Sequence, residues 1–301
     1  MQNEKIGSIG TERNLMPPPP KEGTPLSVLS PRERGERVDK DARRMCHDMP
    51  TATAAPSPAL PPLQPGTLYL VATPIGNLED ITLRALRVLR ECDVIAAEDT
   101  RHTGQLLKHF GISKPMLSYF QFNEASRSRE IVQRLKSGAK IALVTDAGTP
   151  GISDPGARVV RSALAEGCRV EAVPGPCALV VALAASGLST HEFHFVGFLP
   201  HKSGQRRREL ERVRTIPGTL ILYESPHRVV KLLTELADVM PTRKVVLARE
   251  LTKKFEEFKS GTAPELLAEM EKHPPRGEFV VLVTGAEESP EESSLAGAPA
   301  A

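Results

Sequence analysis

Apolar and polar positions follow one rhythm from residue 66 to 189 and a different one after it. In the first stretch, short apolar runs alternate with amphipathic segments. The runs at 67–73 (TLYLVAT), 93–97 (DVIAA), 116–120, 140–145 (KIALVT) and 169–173 read as short buried strands. Between them, Ile81, Ala85, Leu86 and Leu89 share one face of a helix expected over 81–92. Further helices are expected over 101–110, 124–136, 155–165 and 176–186. Gly111, Gly138, Gly167 and Gly187 stand just beyond their ends, and Pro155 opens the fourth. Strands alternating with helices imply a largely parallel sheet covered on both faces. After 189 the strands crowd together, at 194–199, 219–223, 244–248, 255–261 and 278–284, with helices at 204–213, 228–238 and 264–272. The expected fold class is therefore α/β: a mostly parallel domain over 66–189 and a mixed α+β domain over 190–285. A cleft between two domains is the default place for a ligand.

The ends break this pattern. Residues 1–65 hold 12 of the 27 prolines, Pro17–Pro20 among them, and show no apolar periodicity, so the segment is expected to be disordered. Acids among its arginines argue against a transit peptide, and Met45 and Met49 offer translation starts nearer the ordered pattern. Residues 286–301 read as a flexible tail. The net charge of +2 neither demands nor excludes a nucleic-acid partner. Cys46, Cys92, Cys168 and Cys177 form no CxxC pair and have no histidine at metal-ligand spacing. No metal is expected, and free thiols point to the cytosol. No apolar run reaches the roughly 18 residues that span a membrane.

Chemistry concentrates where strands end. The first strand runs into Thr73-Pro74-Ile75-Gly76-Asn77-Leu78-Glu79-Asp80. The turn lacks G-x-G-x-x-G spacing, and its two acids would repel a pyrophosphate, so a dinucleotide site is rejected and a structural turn remains open. The second strand delivers Glu98-Asp99-Thr100-Arg101, read either as site chemistry or as a helix cap with a surface ion pair. The run 145–156 (TDAGTPGISDPG) is the most telling. Its glycines and prolines fix an unusual path that a ligand can approach closely. Asp146 and Asp154 suit ammonium, sulfonium and ribose hydroxyl groups and not phosphate. S-adenosylmethionine carries those three groups and no phosphate. The turn Val173-Pro174-Gly175-Pro176-Cys177-Ala178 offers small residues at the same sheet edge, with Cys177 read as packing. Later, Tyr223-Glu224-Ser225-Pro226-His227-Arg228 and Arg249-Glu250 end two strands, with His227 read as a cap or surface residue. Lys202, Arg206, Arg207, Arg208, Arg212 and Arg214 are either a solvated helix face partnered by Glu209 and Glu211 or a surface for RNA phosphates.

Several long motifs in order, LVATPIGNLEDIT, AAEDTRHTGQLL, TDAGTPGISDPG, FVGFLPHKSGQRR, LYESPHRV and ARELTKKFEEF, resemble the tetrapyrrole methylases, and within them the ribosomal RNA small subunit methyltransferase I family. The likeness covers about 66–285. It implies a dimeric cytosolic enzyme with two α/β domains and S-adenosylmethionine in the cleft between them. It also implies methyl transfer to the 2′-hydroxyl of a cytidine near the decoding centre of the small ribosomal subunit. The family's cofactor loop falls on Gly148, Thr149, Pro150 and Ile152, with Pro74, Pro176, Ala178 and Tyr223 as further wall positions. The long N-terminal segment departs from the family's pattern.

A ribose hydroxyl needs a proton acceptor to attack a methyl group. Glu224, Asp99 and Glu250 are the candidates, in that order, because they sit at strand ends toward the cleft. Arg101 and Arg206–Arg208 are the candidates for RNA phosphates. Two other functions compete. A tetrapyrrole methyltransferase of the same fold would need an open apolar cleft. A non-catalytic RNA-binding assembly protein would be expected to show stacking aromatics, and 4% aromatic residues with no tryptophan weigh against it.

Overall fold

The computed structural model describes residues 61–272 and 274–286. Nearly all of the expected N-terminal extension, with Met45, Met49 and Cys46, lies outside the described residues, as does the tail after Ala286. Leu63 is buried and the Gln64 N–H donates to the Tyr69 hydroxyl at 2.8 Å, so packing begins a little before Gly66.

The first half builds five parallel strands: β1 (Thr67–Val71), β2 (Val94–Ala97), β3 (Met116–Ser118), β4 (Ile141–Val144) and β5 (Arg169–Val173). Their order is β3-β2-β4-β1-β5. The helices are α1 (Leu83–Glu91), α2 (Thr100–His109), α3 (Glu124–Lys136), α4 (Ala157–Ala165) and α5 (Ala178–Ala185). β4 shows why the sheet needs cover on both sides. Ile141 and Leu143 pack into one apolar cluster, with Ile131 and Val159; Ala142 and Val144 pack into another, with Val88 and Leu107. A strand buried on both faces reads as a continuous apolar run, as 140–145 does. Side-chain caps fix helix starts: Thr82 accepts from the Ala85 N–H at 3.0 Å and Asp99 from the Arg101 N–H at 2.8 Å.

The second half holds β6 (Phe193–Phe198), β7 (Thr219–Glu224), β8 (Lys244–Arg249), β9 (Glu257–Thr262) and β10 (Phe279–Val283), with α6 (Ser203–Val213), α7 (Val229–Val239) and α8 (Ala263–Lys272). The sheet order is β6-β7-β10-β8-β9, with β6 parallel to β7 and the other pairs antiparallel. The α/β class with one parallel and one mixed sheet is therefore as expected. The last strand, β10, is inserted at the centre, and all five of its residues are buried. α5 follows β5 in sequence, yet Leu179, Ala182 and Leu183 pack against Ile221, Val280 and Leu282 of the second sheet. This helix ties the two sheets together.

Two consequences position the site. The order β2-β4-β1-β5 sets four strand ends, and their loops, side by side. β7 and β8 both run antiparallel to β10, so Glu224 and Arg249 come to one end of the second sheet, both paired with Phe279.

Candidate active site

The loops of β4, β1 and β5 are locked together by the backbone. The Thr73 N–H donates to the Gly148 carbonyl at 2.9 Å, and the Gly148 N–H returns the bond at 3.0 Å. Gly148 sits at φ +83°, where a side chain costs about 1–2 kcal/mol. The Thr149 hydroxyl donates to the Pro176 carbonyl at 3.0 Å. Between these loops and the ends of β7 and β8 lies a cavity of about 370 Å³. Gly148, Thr149, Ile152 and Ala178 line it from the first half, and Tyr223, Glu224 and Ala248 from the second. The volume falls in the range of small-molecule sites, where apolar walls carry a few placed polar groups.

Acids stand out among those polar groups. Asp154 lines the cavity, and burial, with Glu98 and Asp146 nearby, pushes its carboxyl up to about 7. Glu98 is raised too, chiefly by burial. Glu224 is 2% exposed. One of its carboxylate oxygens accepts the Ser225 N–H at 2.9 Å, and Arg228 lies 3.3 Å from the same atom. Its other oxygen is buried with no partner among the described residues. Burial raises this carboxyl, against the pull of the Ser225 N–H and Arg228. Such a carboxylate is ready to accept a proton or a hydrogen bond. The Tyr223 hydroxyl accepts the Leu179 N–H at 3.0 Å, and burial holds the phenol protonated.

The structure divides the expected cofactor residues. Gly148, Thr149, Ile152, Ala178 and Tyr223 line the cavity. Pro150 is buried in the loop, and Pro176 stands behind Thr149 as its hydrogen-bond acceptor. Pro74 and Asp146 instead line a second cavity, of about 530 Å³. Sequence reasoning missed Ile75, Phe198, Leu251 and Lys253 as lining residues. Lys253 had a sequence signal, a cation three positions after Glu250 at the expected strand end. Its ammonium lies 2.9 Å from both Glu250 and Glu278. Cys177 lines the cavity as a small residue, and His227 is exposed.

Two of the three expected proton acceptors are spent. Asp99 caps α2 and pairs with Arg101 at 3.0 Å, and Arg101 holds its carboxyl down at about 2. Glu250 accepts from Lys253 and from the Glu278 N–H at 3.0 Å, and although burial opposes it, these bonds hold the carboxyl below the usual range. It lines neither cavity.

The basic run also divides. Arg206 is 3% exposed and makes two hydrogen bonds to Glu235, at 2.6 and 2.7 Å. It is a core ion pair and cannot reach RNA, which corrects the sequence reading. Its spacing was the missed signal, because Arg206 shares a face of α6 with Leu210 and Val213. Arg207 pairs with Asp238 at 2.9 Å, while Arg212 and Arg214 pair with Glu209 and Glu211. Arg208 is exposed and has no ion pair among the described residues; Arg101 is exposed beside Asp99.

The family described as Tetrapyrrole (Corrin/Porphyrin) Methylases matches residues 67–267. A ribosomal RNA small subunit methyltransferase I of Halalkalibacterium halodurans is 50% identical over 220 residues, covering 73% of this chain and 76% of the relative. The protein of that name in Pseudomonas aeruginosa is 51% identical, with coverage of 73% and 79%. The chain belongs to this family. Among solved structures, a diphthine synthase aligns with TM-score 0.59 at 18% identity, over 73% of this chain and 90% of that one. Uroporphyrin-III C-methyl transferase from Thermus thermophilus, complexed with S-adenyl homocysteine, aligns with TM-score 0.53 at 22% identity, over 73% and 98%. These two similarities speak for the fold alone. Membership agrees with the TDAGTPGISDPG loop, whose backbone locks the cavity wall. No helix among the described residues is long and apolar enough to cross a membrane.

Proposed function

We propose that the protein is an S-adenosylmethionine-dependent methyltransferase that modifies the 2′-hydroxyl of a cytidine in small-subunit ribosomal RNA, near the decoding centre. The observation that carries this reading is the cavity at the joined ends of both sheets, walled by close-approach backbone and by Asp154 and Glu224. Cationic and hydroxyl-bearing ligands fit such a wall, and phosphates do not. The close backbone approach allowed by the glycine at position 148 is a feature that this cofactor would use, and the Glu224 oxygen with no partner among the described residues is one that the acceptor would use. The name borne by the relatives from Halalkalibacterium halodurans and Pseudomonas aeruginosa supports RNA as the substrate.

When bound, S-adenosylmethionine supplies a methyl group on a cationic sulfur that leaves as a neutral thioether. The chain's own contribution is placement. Gly148 and Thr149 present backbone to the ligand, and Ile152, Ala178 and Leu251 exclude water, which strengthens alignment and electrostatics inside. Asp154 supplies the charge that complements a cation. Glu224 is the group that takes the ribose proton as the oxygen–carbon bond forms, because it alone of the three candidates lines the cavity, and its buried Oε2 has no partner among the described residues. Of the cations expected to meet RNA phosphates, Arg208 is exposed without an ion pair among the described residues, and Arg101 and Arg207 are exposed beside one aspartate each. A homodimer and a cytoplasmic location complete the reading, and light scattering and cell fractionation test them.

Mapping ribose methylation in small-subunit RNA from cells with and without this gene tests the function. Loss of one cytidine 2′-O-methyl group on deletion is the expected result. An unchanged methylation map contradicts it. A tetrapyrrole substrate is less favoured, because the relatives at about 50% identity bear the name of a ribosomal RNA methyltransferase.

A further inference from the structure

The second cavity adjoins the first. Ile75, Ala147, Lys253 and Glu278 line both, so the two compartments share a wall. On the far side of that wall stands α2. His102, Gln105, Leu106 and His109 recur at helical spacing and present one face of the helix to the cavity. His102, Gln105 and His109 are exposed, and Leu78 across the cavity is 40% exposed. Asp146 lines the same compartment, with one carboxylate oxygen accepting the Asp99 N–H at 3.1 Å. The wall is held firmly. A Cβ on Gly76 would lie 2.5 Å from the Lys253 side chain, so the β1 loop and Lys253 are in close contact. Two carboxylates keep the Lys253 ammonium charged.

We propose that this second cavity is the acceptor subsite: it takes the target nucleotide, splayed out of single-stranded RNA, with its ribose at the shared wall and its base against the α2 face. The proposal rests on the methyltransferase reading of the first cavity. Methyl transfer needs donor and acceptor atoms about 3–3.5 Å apart and in line, so the acceptor must occupy a compartment continuous with the donor's. A cavity of about 530 Å³ has room for one nucleoside. A splayed base is recognised by apolar contact on its faces and hydrogen bonds at its edge. Leu78 and Leu106 supply the first; the imidazoles of His102 and His109 and the Gln105 amide supply the second, with donors and acceptors. Lys253 faces the shared wall as a fixed cation, placed to favour negative charge developing on the ribose oxygen. Arg101 and Lys108, exposed on the same helix, would meet the flanking phosphates, and Lys108 has no ion pair among the described residues.

A third groove also touches the cofactor cavity, through Ser153 and Asp154. Glu98, Glu124 and Asp154 line it, and its apolar residues are small: Pro155, Ala157 and Ala165. Arg158 and Arg161 line it as well, but it offers a base no broad apolar face, so the α2 cavity is the better acceptor compartment.

The test compares wild type with Gln105→Ala, His102→Ala and Gln121→Ala, the last in the third groove. Cofactor affinity is read by calorimetry. Methyl transfer is read with small ribosomal subunits from a strain lacking this gene. The α2 variants are expected to lose roughly 10- to 100-fold in kcat/KM for subunits, the effect of leaving a polar partner unpaired, while binding S-adenosylmethionine as wild type does. Gln121→Ala is expected to match wild type. If the α2 variants keep wild-type kcat/KM, or if the loss appears in Gln121→Ala instead, the acceptor assignment is overturned and the methyltransferase reading stands. If wild type binds the cofactor but transfers no methyl group to subunits, the reading beneath the proposal fails and takes the proposal with it.

Discussion

The loop after β4 and the helix α6 are both rich in charge, and they use it in opposite ways. On α6 and at its C-cap, Arg206, Arg207, Arg212 and Arg214 are each matched to a carboxylate, and the most basic stretch of the sequence is largely neutralised within its own half of the fold. Around the 145–156 loop the acids Glu98, Asp146 and Asp154 lie near one another, and at the opposite wall Glu224 keeps an oxygen with no partner among the described residues. Charge on α6 is paired within the fold; at the cavity the acids lack cationic partners of that kind, and burial raises the carboxyls of Glu98, Asp154 and Glu224. A dense basic run is thus a poorer guide to function here than four scattered acids.

The strongest way to break this contrast is at Glu224. Glu224→Gln keeps the shape and removes the proton acceptor, and kcat is expected to fall about 10²–10⁴-fold with cofactor affinity retained. Full turnover with saturating cofactor would remove Glu224 from the chemistry. On the paired side, Arg206→Ala strands the Glu235 carboxylate in the core, and thermal or denaturant unfolding should show a loss of about 3–5 kcal/mol. A loss below 1 kcal/mol would mean the pair is not the core element described.

Asp154 sharpens the comparison through pH. Its folded carboxyl titrates at about 7 against an ordinary 3.8. The proton is bound more tightly in the folded protein, so this group's stabilisation is complete below the ordinary value and is lost as pH rises through about 7. A cationic ligand prefers the ionised form. Cofactor affinity should therefore strengthen as pH rises to about 7 and then level off, with a limiting slope of about tenfold per unit on the acid side. Asp154→Asn should flatten that slope, and titration calorimetry at several pH values reads it directly. The smallest effect is expected at Arg208. Its replacement by alanine should weaken subunit binding a few-fold and lower the salt slope by about one, with cofactor binding unchanged.

Much of the fold was legible because its signals are local. The helix over 124–136 and the strand over 169–173 fall where apolar spacing and turn residues put them. Starts governed by the tertiary path did not. The fourth helix was expected from Pro155 but begins at Ala157, after Gly156 turns at φ +143° as its N-cap. The fifth was expected from 176 but begins at Ala178. The central place of β10 is a pairing across more than fifty residues, which no local pattern encodes. Near the cavity, loops bearing Gly and Pro announced themselves, so Gly148, Thr149 and Ile152 were singled out and do line it. Asp146 was placed with them but points chemistry at the adjoining cavity, since neighbouring residues of one loop face different compartments. Phe198 and Leu251 were missed because apolar walls look like core in a sequence. Arg206 was misread because its charge was weighed without its place among the buried positions of its helix.

The central claim meets its most direct test in methyl transfer from labelled S-adenosylmethionine to small ribosomal subunits from a strain lacking this gene, followed by mapping of the labelled nucleotide. Label on the 2′-oxygen of a single cytidine is the predicted result. Label on a base, or none while the cofactor binds, would contradict the account.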